Sequence, residues 1–261
     1  MLQKGGTSLV AYVSNPWIVK SVVKNQPRVK LFCLPFAGGS SVAYRDWGRR
    51  LPESVDVIAI EIPGRGQRMM EPLITHLPEL VEQIARHIQH ELDRPFALFG
   101  HSMGATLAFE LSHFLNRHYN AAPVGLFLSG RSAPHLNDRE EPIHQLPEKA
   151  FWEKIKSFEG TPPEVLQHKE LMELLLPIIR ADFKMVETYQ YENKPPLDIP
   201  ITVFGGLEDV STPREHLEAW QTYTTSSFTL RMFAGGHFFL QKQSAAVLEQ
   251  LVRDLNNVIR L

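Results

Sequence analysis

Cysteine is nearly absent from this sequence: Cys33 is the only one in 261 residues. With no partner for a disulfide, the fold must be held by its core, and a reducing compartment, the cytoplasm, is expected. Cys33 lies in the apolar run Val29 to Leu34, where a thiol is a small buried side chain rather than a nucleophile. Long runs of basic residues are missing too. The 27 Lys and Arg against 29 Asp and Glu leave a formal net charge of -2, too weak a field to gather a polyanion, so nucleic acid is not an expected partner.

No apolar stretch approaches the roughly 20 residues needed to cross a bilayer, so no membrane association is expected. The first residues, with Lys4, Lys20 and Lys24 scattered among Gly, Ser and Val, lack the unbroken apolar core of a signal peptide. The 11 histidines show no H-E-x-x-H or similar ligand spacing, and His87, His90, His113 and His118 fall within helical runs, so no metal is expected.

Short apolar runs alternate with longer stretches of helical periodicity, the pattern of parallel strands joined by crossover helices. The predicted strands are Val29 to Leu34, Val55 to Ile62, Phe96 to Phe99, Val124 to Ser129, Ile201 to Phe204 and Phe228 to Phe233. Each is near-continuously apolar, as a strand covered on both faces should be, giving a sheet of at least six. Helical patterns cover Tyr44 to Leu51, Leu77 to Leu92, Met103 to Arg117, Pro213 to Thr222 and Gln243 to Ile259. From Arg131 to Pro196 no strand appears. That stretch, helical around Ala150 to Phe158 and Lys169 to Tyr191, reads as an insertion closed by Pro195, Pro196 and Pro200. The length suits one α/β domain over 1–261 with this insertion at about 131–196.

The chemistry begins at Gly100-His-Ser102-Met-Gly104, a G-x-S-x-G pentad between a predicted strand and a predicted helix. With ordinary Gly and Ser usage the bare pentad arises by chance in roughly one chain in ten of this length. Its context is what counts: between strand and helix it is the nucleophile elbow of the α/β-hydrolase fold, a sharp turn that exposes the serine. His101 is read as a packing neighbour. A serine hydroxyl needs a base to take its proton, and His237, in Phe233-Ala-Gly-Gly-His237 after the last predicted strand, is placed to supply it. In this fold the chain order is serine, acid, histidine. Glu208 and Asp209 both follow the penultimate strand; Asp209 is preferred, with Glu208 as the substitute and the capping of the next helix as the competing role for Asp209. The oxyanion donors expected from this template are the backbone N–H of Met103 and one from the loop Leu34-Pro-Phe36-Ala37-Gly-Gly-Ser40, either Ala37 or Phe36.

With these residues in hand, the chain resembles type II thioesterases, the stand-alone editing hydrolases of nonribosomal peptide and polyketide synthesis. The resemblance runs over nearly the whole length. It rests on Asn15-Pro-Trp-Ile, Leu31-Phe-Cys-Leu-Pro-Phe-Ala-Gly-Gly, Pro63-Gly-Arg-Gly-Gln-Arg, Gly100-His-Ser-Met-Gly, Ser129-Gly-Arg-Ser-Ala-Pro, Pro195-Pro-Leu and Gly235-Gly-His-Phe-Phe-Leu. It implies a soluble, monomeric enzyme of antibiotic biosynthesis that cleaves acyl or aminoacyl thioesters from the phosphopantetheine arm of acyl or peptidyl carrier proteins. No cofactor of its own is implied, since the substrate carries the phosphopantetheine. Position by position, the resemblance puts the nucleophile on Ser102, the acid on Asp209, the base on His237 and the oxyanion donors on Ala37 and Met103. It also implies a mobile helical lid between the sixth and seventh core strands, matching 131–196.

Within the lid, Phe151, Trp152, Phe158, Leu174 and Leu175 are read as packing residues first and pocket lining second. Arg65 and Arg68 are candidates for the pantetheine phosphate or for a structural ion pair. Two other functions suit the same residues: a medium-chain fatty acyl thioesterase or general small-ester hydrolase, and, in another class, a non-catalytic carrier-binding module.

Overall fold

The structure, a computed structural model, describes residues 15–136, 142–161 and 163–259. The first 14 residues, on which the expectation of no signal peptide partly rests, lie outside these, as do 137–141 and 162 of the insertion.

In chain order the elements are β1 (Ile18–Val19), β2 (Val29–Leu34), α1 (Trp47–Arg50), β3 (Val55–Ile60), α2 (Leu77–Ile88), β4 (Phe96–His101), α3 (Met103–Tyr119) and β5 (Gly125–Ser129). The insertion follows with α4 (Glu148–Ser157), α5 (Pro163–Gln167) and α6 (Lys169–Thr188). The chain then closes with β6 (Ile201–Gly206), α7 (Arg214–Glu218), β7 (Phe228–Phe233), α8 (Phe239–Lys242) and α9 (Ser244–Ile259). The strands form one sheet in the order β1-β3-β2-β4-β5-β6-β7, parallel except for β1 against β3.

All six predicted strands are present. The sequence pattern misses β1, whose two residues are too few for any periodicity. The helical stretches at 44–51, 77–92 and 213–222 each resolve into a shorter α-helix with a 3-10 turn beside it. The helices of the insertion lie between β5 and β6.

Period-two alternation sends Phe32, Leu34, Ile58 and Ile60 to one face of the sheet and Leu31, Cys33, Val57 and Ala59 to the other. The first face is covered by α2 and α3, whose inward stripe on α2 is Leu77, Leu80, Val81, Ile84, Ala85 and Ile88. The second is covered by Tyr44, Trp47 and the α9 residues Val247, Leu248, Leu251 and Leu255. Strands β2 to β6 are wholly buried. Strand β7 departs from the expected double cover: it is the sheet edge, half-buried throughout, and its Arg231 pairs with Asp254 of α9 at 2.9 Å. Burial leaves the Cys33 thiol with a pKa raised well above its ordinary value.

After β2 the chain moves to β3 on one side, and β4 returns on the other. Loops leaving β2 and β4 therefore diverge, and such a switch opens a crevice at the carboxyl ends of the strands. The insertion has an apolar cluster of its own beside this crevice, built on Ile143, Phe151, Trp152, Ile155 and Ile179.

Candidate active site

The turn from β4 into α3 puts Ser102 at φ 53 and ψ -116, a backbone state that costs a non-glycine residue energy and persists only where its surroundings dictate it. Two contacts do so. The Ser102 N–H donates to the Ser129 carbonyl at the end of β5 at 2.7 Å. On the other side, a Cβ at Gly104 would lie 2.3 Å from the Leu34 carbonyl oxygen, so the first turn of α3 packs directly on the exit of β2. Met103 opens α3, and its N–H has no acceptor inside the helix.

Strand β6 delivers the carboxylate. A Cβ at Gly206 would sit 2.5 Å from the carbonyl oxygens of both Gly235 and Gly236, so the loops after β6 and β7 touch backbone to backbone. The Leu207 and Glu208 N–H groups donate across this contact to Phe233 and Gly235 at 2.8 and 3.0 Å. Beyond it Asp209 is buried, while Glu208 is exposed. Asp209 Oδ2 accepts from His237 Nδ1 at 2.7 Å and from Thr212 Oγ1 at 2.6 Å; Oδ1 accepts from the Ser211 hydroxyl and N–H at 2.6 and 3.0 Å. Burial alone would raise the pKa of this carboxyl, but His237, Ser211 and Thr212 outweigh it and hold it well below the usual carboxylate range. Asp209 is therefore a charged carboxylate that fixes the imidazole through Nδ1, leaving Nε2 as the nitrogen open to a proton.

An aromatic box surrounds that imidazole. Ring centroids of His101, Phe238 and Phe158 lie 5.1, 5.3 and 5.6 Å from that of His237. His101, wholly buried, engages the Ser129 hydroxyl through Nδ1 at 2.9 Å. Burial, with the neighbouring His237 acting in the same sense and Asp209 opposing, lowers its pKa well below the ordinary histidine value, so it packs here as a neutral ring. Among the described residues no hydrogen bond joins Ser102 Oγ to His237; contacts of this kind commonly tighten only when substrate is bound.

The loop after β2 completes the crevice. Tyr44 donates to the Leu34 carbonyl at 2.7 Å, and the Gly39 N–H to the Phe36 carbonyl at 2.8 Å. The Phe36 ring packs edge-on to Phe238. Neither Ala37 nor Met103 donates its N–H to a protein acceptor among the described residues.

The structure thus joins Asp209 to His237 and leaves Glu208 outside. It also decides the two arginines. Arg65 is buried and forms a two-pronged ion pair with Asp182 of α6, at 2.7 and 2.9 Å. Arg68 is buried too, pairing with Glu71, donating to the Glu61 carbonyl at 2.9 Å and stacking over Trp17. Both guanidiniums are committed to partners inside the protein, and the phosphate role for them is withdrawn because neither faces solvent. In the insertion, Phe151 and Trp152 are core residues, Leu174 is exposed, and Phe158 reaches the His237 ring.

Sequence reasoning missed Ser211 and Thr212, although hydroxyl residues two and three places after a loop aspartate are the usual makers of such a turn. It also missed Asp182. The available signal was a carboxylate on the apolar stripe of α6, between Ile178 and Ile179 on one side and Met185 and Val186 on the other.

Comparison with known proteins agrees over almost the full length. A family model for the thioesterase domain matches residues 29–257. The gramicidin S biosynthesis protein GrsT of Aneurinibacillus migulanus is 40% identical over 94% of this chain and 96% of its own. The medium-chain S-acyl fatty acid synthase thioesterase of Rattus norvegicus is 30% identical over 87% of this chain and 88% of its own. Among solved structures, the type II thioesterase BorB from the borrelidin biosynthetic cluster superposes with a TM-score of 0.85 at 34% identity, covering 91% of this chain and 96% of that one. On the sequence match, the fold and the geometry of the crevice together, this chain belongs to the thioesterase family.

Proposed function

We propose that this enzyme is a type II thioesterase that hydrolyses acyl or aminoacyl thioesters on the phosphopantetheine arm of carrier proteins of a nonribosomal peptide or polyketide synthase. The observation that carries the chemistry is the buried, charge-holding Asp209–His237 pair beside a serine at a strained strand-to-helix turn. Ser102 Oγ attacks the thioester carbonyl while His237 Nε2 takes its proton. Asp209 keeps Nδ1–H oriented and stabilises the imidazolium. The oxyanion that forms accepts from the Ala37 and Met103 N–H groups. Collapse breaks the C–S bond, and His237 returns the proton to the departing thiol. A water, deprotonated by the same imidazole, then attacks the acyl-serine and releases the acid. The helices between β5 and β6 act as the lid that shuts water out and shapes the acyl pocket, with Phe158 against the base. The enzyme works as a cytoplasmic monomer.

The test is release of free thiol from acyl- and aminoacyl-loaded carrier proteins, with Ser102→Ala as the paired variant. Turnover that vanishes in Ser102→Ala, together with labelling of Ser102 by a fluorophosphonate, supports the reading. Carrier binding without turnover or labelling would replace it with a non-catalytic module. The rat relative favours a second reading, a thioesterase for medium-chain fatty acyl groups. A panel running from acetyl and aminoacyl to decanoyl carriers separates the two by the ranking of kcat/KM.

A further inference from the structure

Ala37, the proposed second oxyanion donor, sits in a loop whose position is set from outside that loop. Gly38 N–H donates 2.7 Å to Asp182 Oδ2, fixing the peptide plane that follows Ala37. Arg65, from the loop after β3, donates to the Gly39 carbonyl at 3.0 Å, and the same guanidinium grips both oxygens of Asp182. Asp182 is 1% exposed and 144 positions from Gly38. Packing reinforces the contact: a Cβ at Gly38 would lie 2.7 Å from the Ile179 side chain, one turn earlier on α6. The loop after β2 is thus held by a carboxylate on the insertion's last helix and a cation on the neighbouring loop.

A buried ion pair is a poor way to gain stability, because desolvation of both charges offsets their attraction, whereas a two-pronged arginine–carboxylate pair adds geometric specificity. Apolar packing would hold α6 against the loop equally well but would leave the Gly38 N–H and the Gly39 carbonyl without partners. We propose that Asp182 and Arg65 are positioning residues for the reaction. They hold the peptide that follows the oxyanion donor, and through it the Ala37 N–H, in line with Ser102, so that the donor is in place when charge develops on the substrate. This inference rests on the triad and oxyanion reading above. It adds that an insertion helix sets the rate of acyl transfer through a carboxylate committed to Gly38 and Arg65.

The test measures kcat, KM and the affinity of a pantetheine trifluoromethyl ketone, which forms a tetrahedral oxyanion with the serine, for Asp182→Asn and Arg65→Lys. Asp182→Asn keeps the shape and an acceptor for Gly38 but loses the charge; Arg65→Lys keeps the charge but loses the fork. Both should lower kcat by about 10- to 100-fold, below the 10²–10³ lost when an oxyanion donor is removed outright. KM should stay within about twofold, and ketone affinity should fall in parallel with kcat. Unchanged kcat per folded molecule, with only a lower melting temperature, would reduce the pair to a structural role and overturn the proposal. A fall in kcat without loss of ketone affinity would overturn it as well. If Asp182→Asn does not fold, Arg65→Lys decides by the same criteria. Thioesterase activity surviving Ser102→Ala would instead sink the triad reading, so the two failures are distinguishable.

Discussion

Replacing Gly104 by alanine sets two effects of opposite sign against each other. Gly104 lies in the first turn of α3, where helix propensity alone favours alanine by about 1 kcal/mol. The added methyl, however, would stand 2.3 Å from the Leu34 carbonyl oxygen and 2.9 Å from that of Pro35, all main-chain atoms that no rotamer change can move away. To reach ordinary contact, near 3.4 Å, the start of α3 must retreat by about 1 Å from the loop after β2. Overpacking of this sort costs about 1–3 kcal/mol, so the net change is a loss of up to about 2 kcal/mol. In a chain of this size that is a fall of several degrees in Tm. The catalytic effect is larger, because the retreat carries Ser102 and the Met103 N–H away from Ala37, and a displacement of about 1 Å costs on the order of 10²-fold in rate. The assay is a melting curve beside kcat on one acyl carrier substrate. A Gly104→Ala protein with a higher Tm and undiminished kcat would refute the reasoning, since propensity would then have won over contact.

The remaining predictions concern the acid, the insertion and the thiol. Asp209→Asn should lower kcat by about 10³–10⁴-fold through loss of the imidazole's anchor. The Asp209 pKa is depressed in the folded state, so its contribution to stability is present above the ordinary carboxylate range and is lost as pH falls through the depressed value. The gap in denaturation midpoint between wild type and Asp209→Asn should therefore be wide at pH 7 and narrow toward pH 2; a constant gap would contradict the assignment. Phe158→Ala removes one wall of the box around His237 and should raise KM for long acyl chains more than for acetyl, as read from initial rates; equal effects on both would exclude Phe158 from the pocket. A thiol reagent should find no reactive cysteine in the native protein and one equivalent after unfolding, because Cys33 is buried within β2.

What the sequence made legible divides along physical lines. The sheet could be read because β2 to β6 are buried on both faces, which leaves unbroken apolar runs, and the loops that carry Ser102, Asp209 and His237 follow directly from those runs. Where the pattern failed, the structure depends on something periodicity does not record. Strand β1 is held by two residues of pairing with Ile60 and Ala59. The pairing of Asp182 with Arg65 joins positions 117 apart and shows in the sequence only as a misplaced charge. Which of the adjacent Glu208 and Asp209 faces inward to meet His237 is a matter of loop backbone after β6, where the Ser211 and Thr212 hydroxyls donate to Asp209.

The apolar cluster inside the insertion has a consequence for how such an enzyme can be varied. Phe151, Trp152 and Ile155 bury their surface against Ile179, Phe183 and one another, separately from the two clusters that flank the sheet. Substitutions there share no partners with the sheet core, so their energetic effects should add to core changes rather than compound them. A designer can therefore reshape the insertion's helices in a library of their own, provided the turn that bears Asp182 is left untouched.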